Sequence, residues 1–293
     1  MVECDAVKEF LQKTEVDTMK LYLGTGQQLD IPREWEQRFP NVDIAHSSAD
    51  LPESARNPVV IADSFRPDEV VRWIFEEKSK HLFQSNKKDH KAELEAVVRI
   101  ANDYRLYFSN PEMLSLGKRQ SSVTIEFSSP SDKARLIETC EEYVTPYGHQ
   151  SFRESVRAIA EEMYMNAVID APKEAGKQGG DKDLYLKGKK ATLDLYLYEQ
   201  ELIITCCDPF GSLDPHKFVA RMNEVYQRGA GQVMNMKSGA GAGIGCVLMF
   251  ENCTRMILGV QRGSKTVVTC VVPIKASYRQ RETSKKSLHL IYV

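Results

Sequence analysis

The chain has 293 residues, a formal net charge of −2 and a pI near 6.3, with 42% hydrophobic and 27% charged residues. That is enough apolar material for one large or two ordinary packed domains, and the near-neutral charge excludes a globally basic binder of nucleic acid or of anionic membranes. No apolar run approaches the roughly 20 residues of a membrane span, and the opening "MVECDAVKEF" has no signal-peptide core, so a cytoplasmic protein is expected.

The first third alternates strand and helix signals. "MKLYLG", "VDIAHS" and "NPVVIADSF" read as strands. "DEVVRWIFEEKS", after Pro67, has helical spacing with Val70, Val71, Trp73 and Ile74 on one face. "KHLFQ" is a short strand and "DHKAELEAVVRIANDYRLYF" one long helix. The alternation predicts a small α/β module over residues 1–115, closed by the breaker-rich "SNPEMLSLGKRQS".

A second unit is predicted over residues 118–277. It opens on the strand "SSVTIEFS" and the helix of "SPSDKARLIETCEEYVTPYG", capped by Ser129 or Ser131. A helix over 151–175 follows, then "ATLDLYLYEQELIITCCD", a hairpin turning at Glu199-Gln200. "DPHKFVARMNEVYQRG" is an amphipathic helix, "GAGAGIGCVLMFENC" a glycine loop leading into a helix, and "RMILGVQRGSKTVVTCVVPI" a hairpin turning at Arg262-Gly263-Ser264. Residues 278–293 read as a C-terminal tail, basic and then apolar. The seven cysteines are scattered without a Cys-x-x-Cys pair, which predicts reduced, mostly buried thiols and no zinc site.

Three stretches carry chemistry. In the helix over 151–175, Glu162, Asn166 and Asp170 recur every four residues, which stacks a carboxylate, an amide and a second carboxylate on one stripe. The apolar strand "IITCC" ends in Asp208, followed by a turn with Gly211; a carboxylate there can accept a hydrogen bond from an exocyclic amine. In "KSGAGAGIGCVL", Gly239, Gly241, Gly243 and Gly245 let backbone approach phosphate oxygens, and a helix starting there aims its free N–H groups at an anion. Taken singly, each has a plainer reading: a solvated stripe, a strand-ending turn residue, a flexible linker.

In this order the three stretches resemble the GHKL ATPase superfamily, which includes DNA gyrase, heat-shock chaperone ATPases, histidine kinases and anti-sigma-factor serine kinases; the layout is most similar to the last. The resemblance covers 120–277. It implies a two-layer α/β sandwich of the GHKL type, with ATP and Mg²⁺ as ligands. It implies that Asn166 ligates the metal and binds the nucleotide, Glu162 activates the attacking hydroxyl or water, Asp208 reads adenine, and Gly241, Gly243 and Gly245 cradle phosphate, with Gly239, Gly211 and Asp170 in supporting positions. One departure stands out: the usual Asp-x-Gly-x-Gly is here Asp208-Pro209-Phe210-Gly211-Ser212, with Phe210 where the first glycine is expected. The 1–115 module loosely resembles a degenerate response-regulator receiver domain, because "VVIADSFRP" places Asp63 at a strand end with Pro67 four residues on; no acidic pair follows the first strand. His90, with Lys91 after it, does not match a histidine-kinase phosphoacceptor.

The implied protein is an Mg²⁺-ATP-dependent serine/threonine kinase acting on a protein partner, with no nucleic-acid or membrane partner and a homodimer left open. A non-catalytic nucleotide-gated binding module and the catalytic half of a split histidine kinase are the alternatives. The intact Glu162–Asn166 pair favours catalysis, and the altered first glycine box favours the binding module.

Overall fold

The computed structural model describes residues 19–23, 42–45, 56–62, 67–75, 79–84, 90–115, 117–176, 188–228 and 244–293. It is a mixed α/β structure. Strands β1 (Met19–Leu23), β2 (Val42–Ala45), β3 (Arg56–Ala62) and β4 (His81–Gln84) pair in parallel, with helix α1 (Pro67–Phe75) crossing from β3 to β4. Helices α2 (His90–Asn102) and α3 (Arg105–Ser109) follow. The sequence predicts one helix across both; the chain breaks at Asp103, whose carboxylate takes the Arg105 N–H at 3.0 Å, the local side-chain bond by which Asp competes with helix continuation.

The remaining elements are β5 (Arg119–Phe127), α4 (Lys133–Val144), α5 (Gln150–Met165), α6 (Ala171–Gly176), β6 (Ala191–Tyr198), β7 (Glu201–Asp208), α7 (Pro215–Arg228), α8 (Ile244–Asn252), β8 (Arg255–Gln261), β9 (Lys265–Pro273), α9 (Tyr278–Glu282) and β10 (Ser287–Tyr292). The Asp132 carboxylate takes the N–H groups of Ser128 and Ser129 at 2.8 and 3.1 Å, which fixes the turn into α4. β5, β6, β7, β9 and β8 form an antiparallel run through the two hairpins.

Among the described residues all strands belong to one ten-stranded sheet in the order β2-β1-β3-β4-β10-β8-β9-β7-β6-β5. The segment read from sequence as a tail supplies α9 and then β10, an interior strand antiparallel to β4 and parallel to β8. Its apolar residues are why: Leu288 and Leu290 are buried, a cost no solvated tail would bear. α5 crosses β7 and β9, α8 lies beside it on β9, and α4 packs on β5. On the opposite face Tyr107 covers the sheet, its hydroxyl 2.9 Å from Thr269 Oγ1.

Among the described residues, one large apolar cluster joins α1 and β4 to the elements from β5 to β10. Val70, Trp73 and Ile74 of α1 pack in the same cluster as Phe218, Val219 and Met222 of α7, and α1 and α7 lie in direct contact. A fragment of residues 120–293 would uncover the β4-facing edge of β10 and the α1-facing side of α7. Such a fragment is expected to lose cooperative unfolding or to aggregate. Circular-dichroism melting checks this, and a sharp transition close to that of the whole chain would contradict a shared core.

Candidate functional site

The site is assembled around the carboxyl-terminal half of α5. His149 begins that helix, its Nδ1 accepting the Phe152 N–H at 3.3 Å. Phe152, Val156, Ile159, Met163 and Ala167 recur at helical spacing and are buried against the sheet. Holding that face down fixes which residues point away from the core, and Glu162 and Asn166 are both left half-buried.

The helix does not run regularly through the site. Residues 166–170 form a π-turn, in which the Ala171 N–H reaches the Asn166 carbonyl before α6 resumes. Such turns are rare and are found often at functional sites. Pro172 supplies a local cause: it has no N–H to give, and its ring crowds the Val168 carbonyl that an α-helix would set against it. Spacing alone places Glu162, Asn166 and Asp170 on one regular stripe; the widened turn carries Asp170 out to an exposed position. Asp170 still acts on Glu162 electrostatically.

Glu162 holds its proton more tightly than an ordinary carboxyl group. Burial is the main cause, the charges of Asp170 and Glu161 add to it, and Lys133 opposes it. Gly245, in the first turn of α8, packs directly on this carboxylate. A Cβ there would fall onto Glu162 Oε2, and within 2.6 Å of Cδ, so only glycine lets the helix start approach so closely. The positive end of the α8 dipole therefore faces Glu162, but burial and like charge outweigh it. Cys246 next to it is pushed up to about 12, chiefly by burial.

Asp208 closes β7 and is buried; its carboxyl is pushed up to about 6. Burial raises it, against the Phe210 N–H at 2.9 Å and the Gly211 N–H, which favour the ionised form. Gly211 has φ +59° and sits tight against the β8–β9 turn, where a Cβ would come 2.8 Å from the backbone nitrogens of Ser264 and Lys265. The turn is tied to the helix at the π-turn: Ser212 Oγ donates to the Ala171 carbonyl at 3.0 Å. One step inward, the Cys206 thiol donates to the Met163 carbonyl at 3.7 Å. Phe210 packs on the core with the Lys189 ammonium 5.4 Å from its ring centre.

Glu162 is thus brought against Gly245, with Asn166 one turn on in the chain and Asp170 acting on Glu162 by charge, and the turn of Asp208 and Gly211 is attached beyond the π-turn through Ser212 and Ala171. Gly239, Gly241, Gly243 and Asp63 lie outside the described residues. Among the described residues no cluster of three or more His, Cys, Asp or Glu side chains is placed to hold a metal. An Asn166 amide beside a carboxylate offers hard oxygen donors, the type that suits a cation keeping most of its water and phosphate ligands. Pro172 could have signalled the π-turn from sequence. The Ser212–Ala171 link has no such signal. Compared with known proteins, the chain matches no protein-family model and no curated protein significantly.

The raised Asp208 carboxyl has a thermodynamic consequence. Between its ordinary value of 3.8 and about 6 the folded chain holds a proton that the unfolded chain has lost. Stability from this group therefore falls as pH rises through that window, and the deficit persists above it. Asp208→Asn does not titrate. Its stability relative to the parent should improve by up to about 3 kcal/mol between roughly pH 4 and pH 8. Urea unfolding of both proteins across that range checks this; a pH-independent difference would place the Asp208 carboxyl at its ordinary value.

Proposed function

We propose that the chain is an Mg²⁺-ATP-binding regulatory protein of the GHKL type that phosphorylates a serine or threonine of a partner protein, with a receiver-like α/β module in its first 115 residues and a cytoplasmic location. The single observation that carries the reading is the Glu162–Gly245 contact beside Asn166 at a π-turn. A half-buried carboxylate of raised proton affinity is suited to general-base work, and the start of α8 turned towards it is suited to an anion.

The residues would divide the task as follows. The Asn166 amide oxygen would hold Mg²⁺, which would supply charge neutralisation at the ATP phosphates. Glu162 takes the proton from the attacking hydroxyl as its oxygen bonds to the terminal phosphorus and the bond to the ADP oxygen breaks. The Asp208 carboxylate, ionised at neutral pH, accepts a hydrogen bond from the exocyclic amine of adenine. Gly245 keeps the helix start clear of a side chain. A second reading, a nucleotide-gated binding module without turnover, is favoured by Phe210: it packs on the core in the turn where the GHKL pattern has glycine.

Two substitutions separate these roles. Asn166→Ala removes a metal ligand and should weaken Mg²⁺-ATP binding by roughly tenfold or more. Glu162→Gln keeps size and reach, should nearly retain binding, and should lower turnover by about 10²- to 10⁴-fold. Calorimetric ATP binding and ADP release by both variants check this. Unchanged turnover in Glu162→Gln would remove Glu162 as the base, and tight binding without turnover by the parent would favour the second reading.

A further inference from the structure

Two histidines meet where β4 joins β10. His81 and His289 are direct partners across the antiparallel ladder, and their ring centres stand 5.5 Å apart. Both side chains are buried. His289 Nε2 lies 2.9 Å from Glu93 Oε1 of α2, an oxygen that Ser287 also contacts. His81 has no carboxylate of its own, and its Nδ1 is buried without a hydrogen-bond partner. The groups that act on it electrostatically are His289 opposite and Lys80 before it, whose ammonium lies 4.3 Å from the centre of the Tyr292 ring. Its register partner on the other side is Val59 of β3. A proton on His81 therefore creates a buried cation beside basic groups, which the closed seam does not compensate.

This seam is also the shorter side of β10. The strand pairs with β8 over six residues, Ser287 to Tyr292, and with β4 over three, Ser287 to His289. Two backbone bonds flank the short ladder: Leu290 N–H to the Lys80 carbonyl at 2.7 Å and Gln84 N–H to the Lys286 carbonyl at 2.9 Å. We infer that the seam is an acid-sensitive latch, in which proton uptake by His81 releases β4 from β10 while β10 stays on β8. Opening places the imidazolium in water and uncovers the β4-facing edge of β10. Linkage gives the sign. Closed, His81 stays neutral well below its ordinary value of 6.5, chiefly because it is buried; open, it charges near that value. Below 6.5 the open form binds a proton that the closed form does not, so falling pH favours opening, by up to about tenfold per pH unit. None of this depends on ATP binding.

Hydrogen exchange of the full chain tests the latch, resolved to single amides and corrected for the intrinsic pH dependence of exchange. The Gln84 and Leu290 amides should open roughly thirtyfold more often at about pH 5 than at about pH 7.5, and the amides of β6 and β7 should not change. His81→Gln and His81→Phe carry no titrating ring and should each flatten the response, with unchanged circular dichroism at neutral pH. Should neither variant fold, titration of the parent's imidazole rings by NMR decides: the His81 ring should charge only as the Leu290 amide loses protection. Equal protection at both pH values, a response kept by either folded variant, or a His81 ring that charges near 6.5 inside a protected seam would overturn the inference. So would an equal loss of protection in β6 and β7, because acid would then be unfolding the whole sheet.

Discussion

Strand β10 is the last strand of the chain, and both halves of the sheet close on it, β4 on one side and β8 on the other. Everything needed to bury that strand must be satisfied at once. Lys286, at its start, is almost wholly buried and gives its ammonium to the carbonyls of Phe250, Cys253, Glu251 and Arg281 at 2.9, 2.6, 3.1 and 3.2 Å. The first three are carbonyls at and just beyond the end of α8, where a cation also complements the helix dipole, and the fourth belongs to α9. Burial lowers the proton affinity of Lys286 even so. Further along, His289 lies 2.9 Å from the fully buried Glu93 carboxylate of α2, and Ser287 contacts the same oxygen. A buried carboxylate without such partners would cost several kcal/mol.

This arrangement fixes α8 at its carboxyl end, and through α8 it fixes the other end as well. The helix is nine residues long, so its first turn, with Gly245, is held about 13 Å from the Lys286 anchor. Ser155 Oγ of α5, donating to Asn252 Oδ1 of α8 at 2.5 Å, pins the two helices from the side, and the Arg281 guanidinium braces Ser155 at 2.8 Å. The approach of Gly245 to Glu162 is therefore set by contacts remote from both residues. The same holds at Asp208, whose turn is positioned by the β8–β9 hairpin on one side and by Ala171 on the other. Neither carboxyl group is shifted by one strong neighbour; in both, burial is the largest cause.

The seam also joins the first third of the chain to the rest more tightly than a linker would. His81 pairs with His289 across the ladder, and burial together with that second histidine keeps His81 neutral well below the usual imidazole range. α1 reaches α7 through Trp73, and the ring of Phe75 stands 5.0 Å from that of His216 at the start of α7. Elements read as one module are thus packed into the core of the next.

The sequence by itself determined the elements and most of their order. Alternation and helical spacing placed β1, β3, β5–β9, α1, α4, α5, α7 and α8, because periodicity reports directly which face of an element is buried. It also singled out Glu162, Asn166, Asp208 and Gly245 as chemically unusual for their places. Only the tertiary structure decided the rest. A tail of basic and then apolar residues becomes a central strand because β4 and β8 offer edges that no local pattern reveals. The regular stripe through Asp170 gives way to a π-turn because Pro172 and the turn held by Ser212 act there together. Gly245 is needed where it stands because of a carboxylate more than eighty positions earlier, and a close approach between distant positions leaves no trace in local spacing.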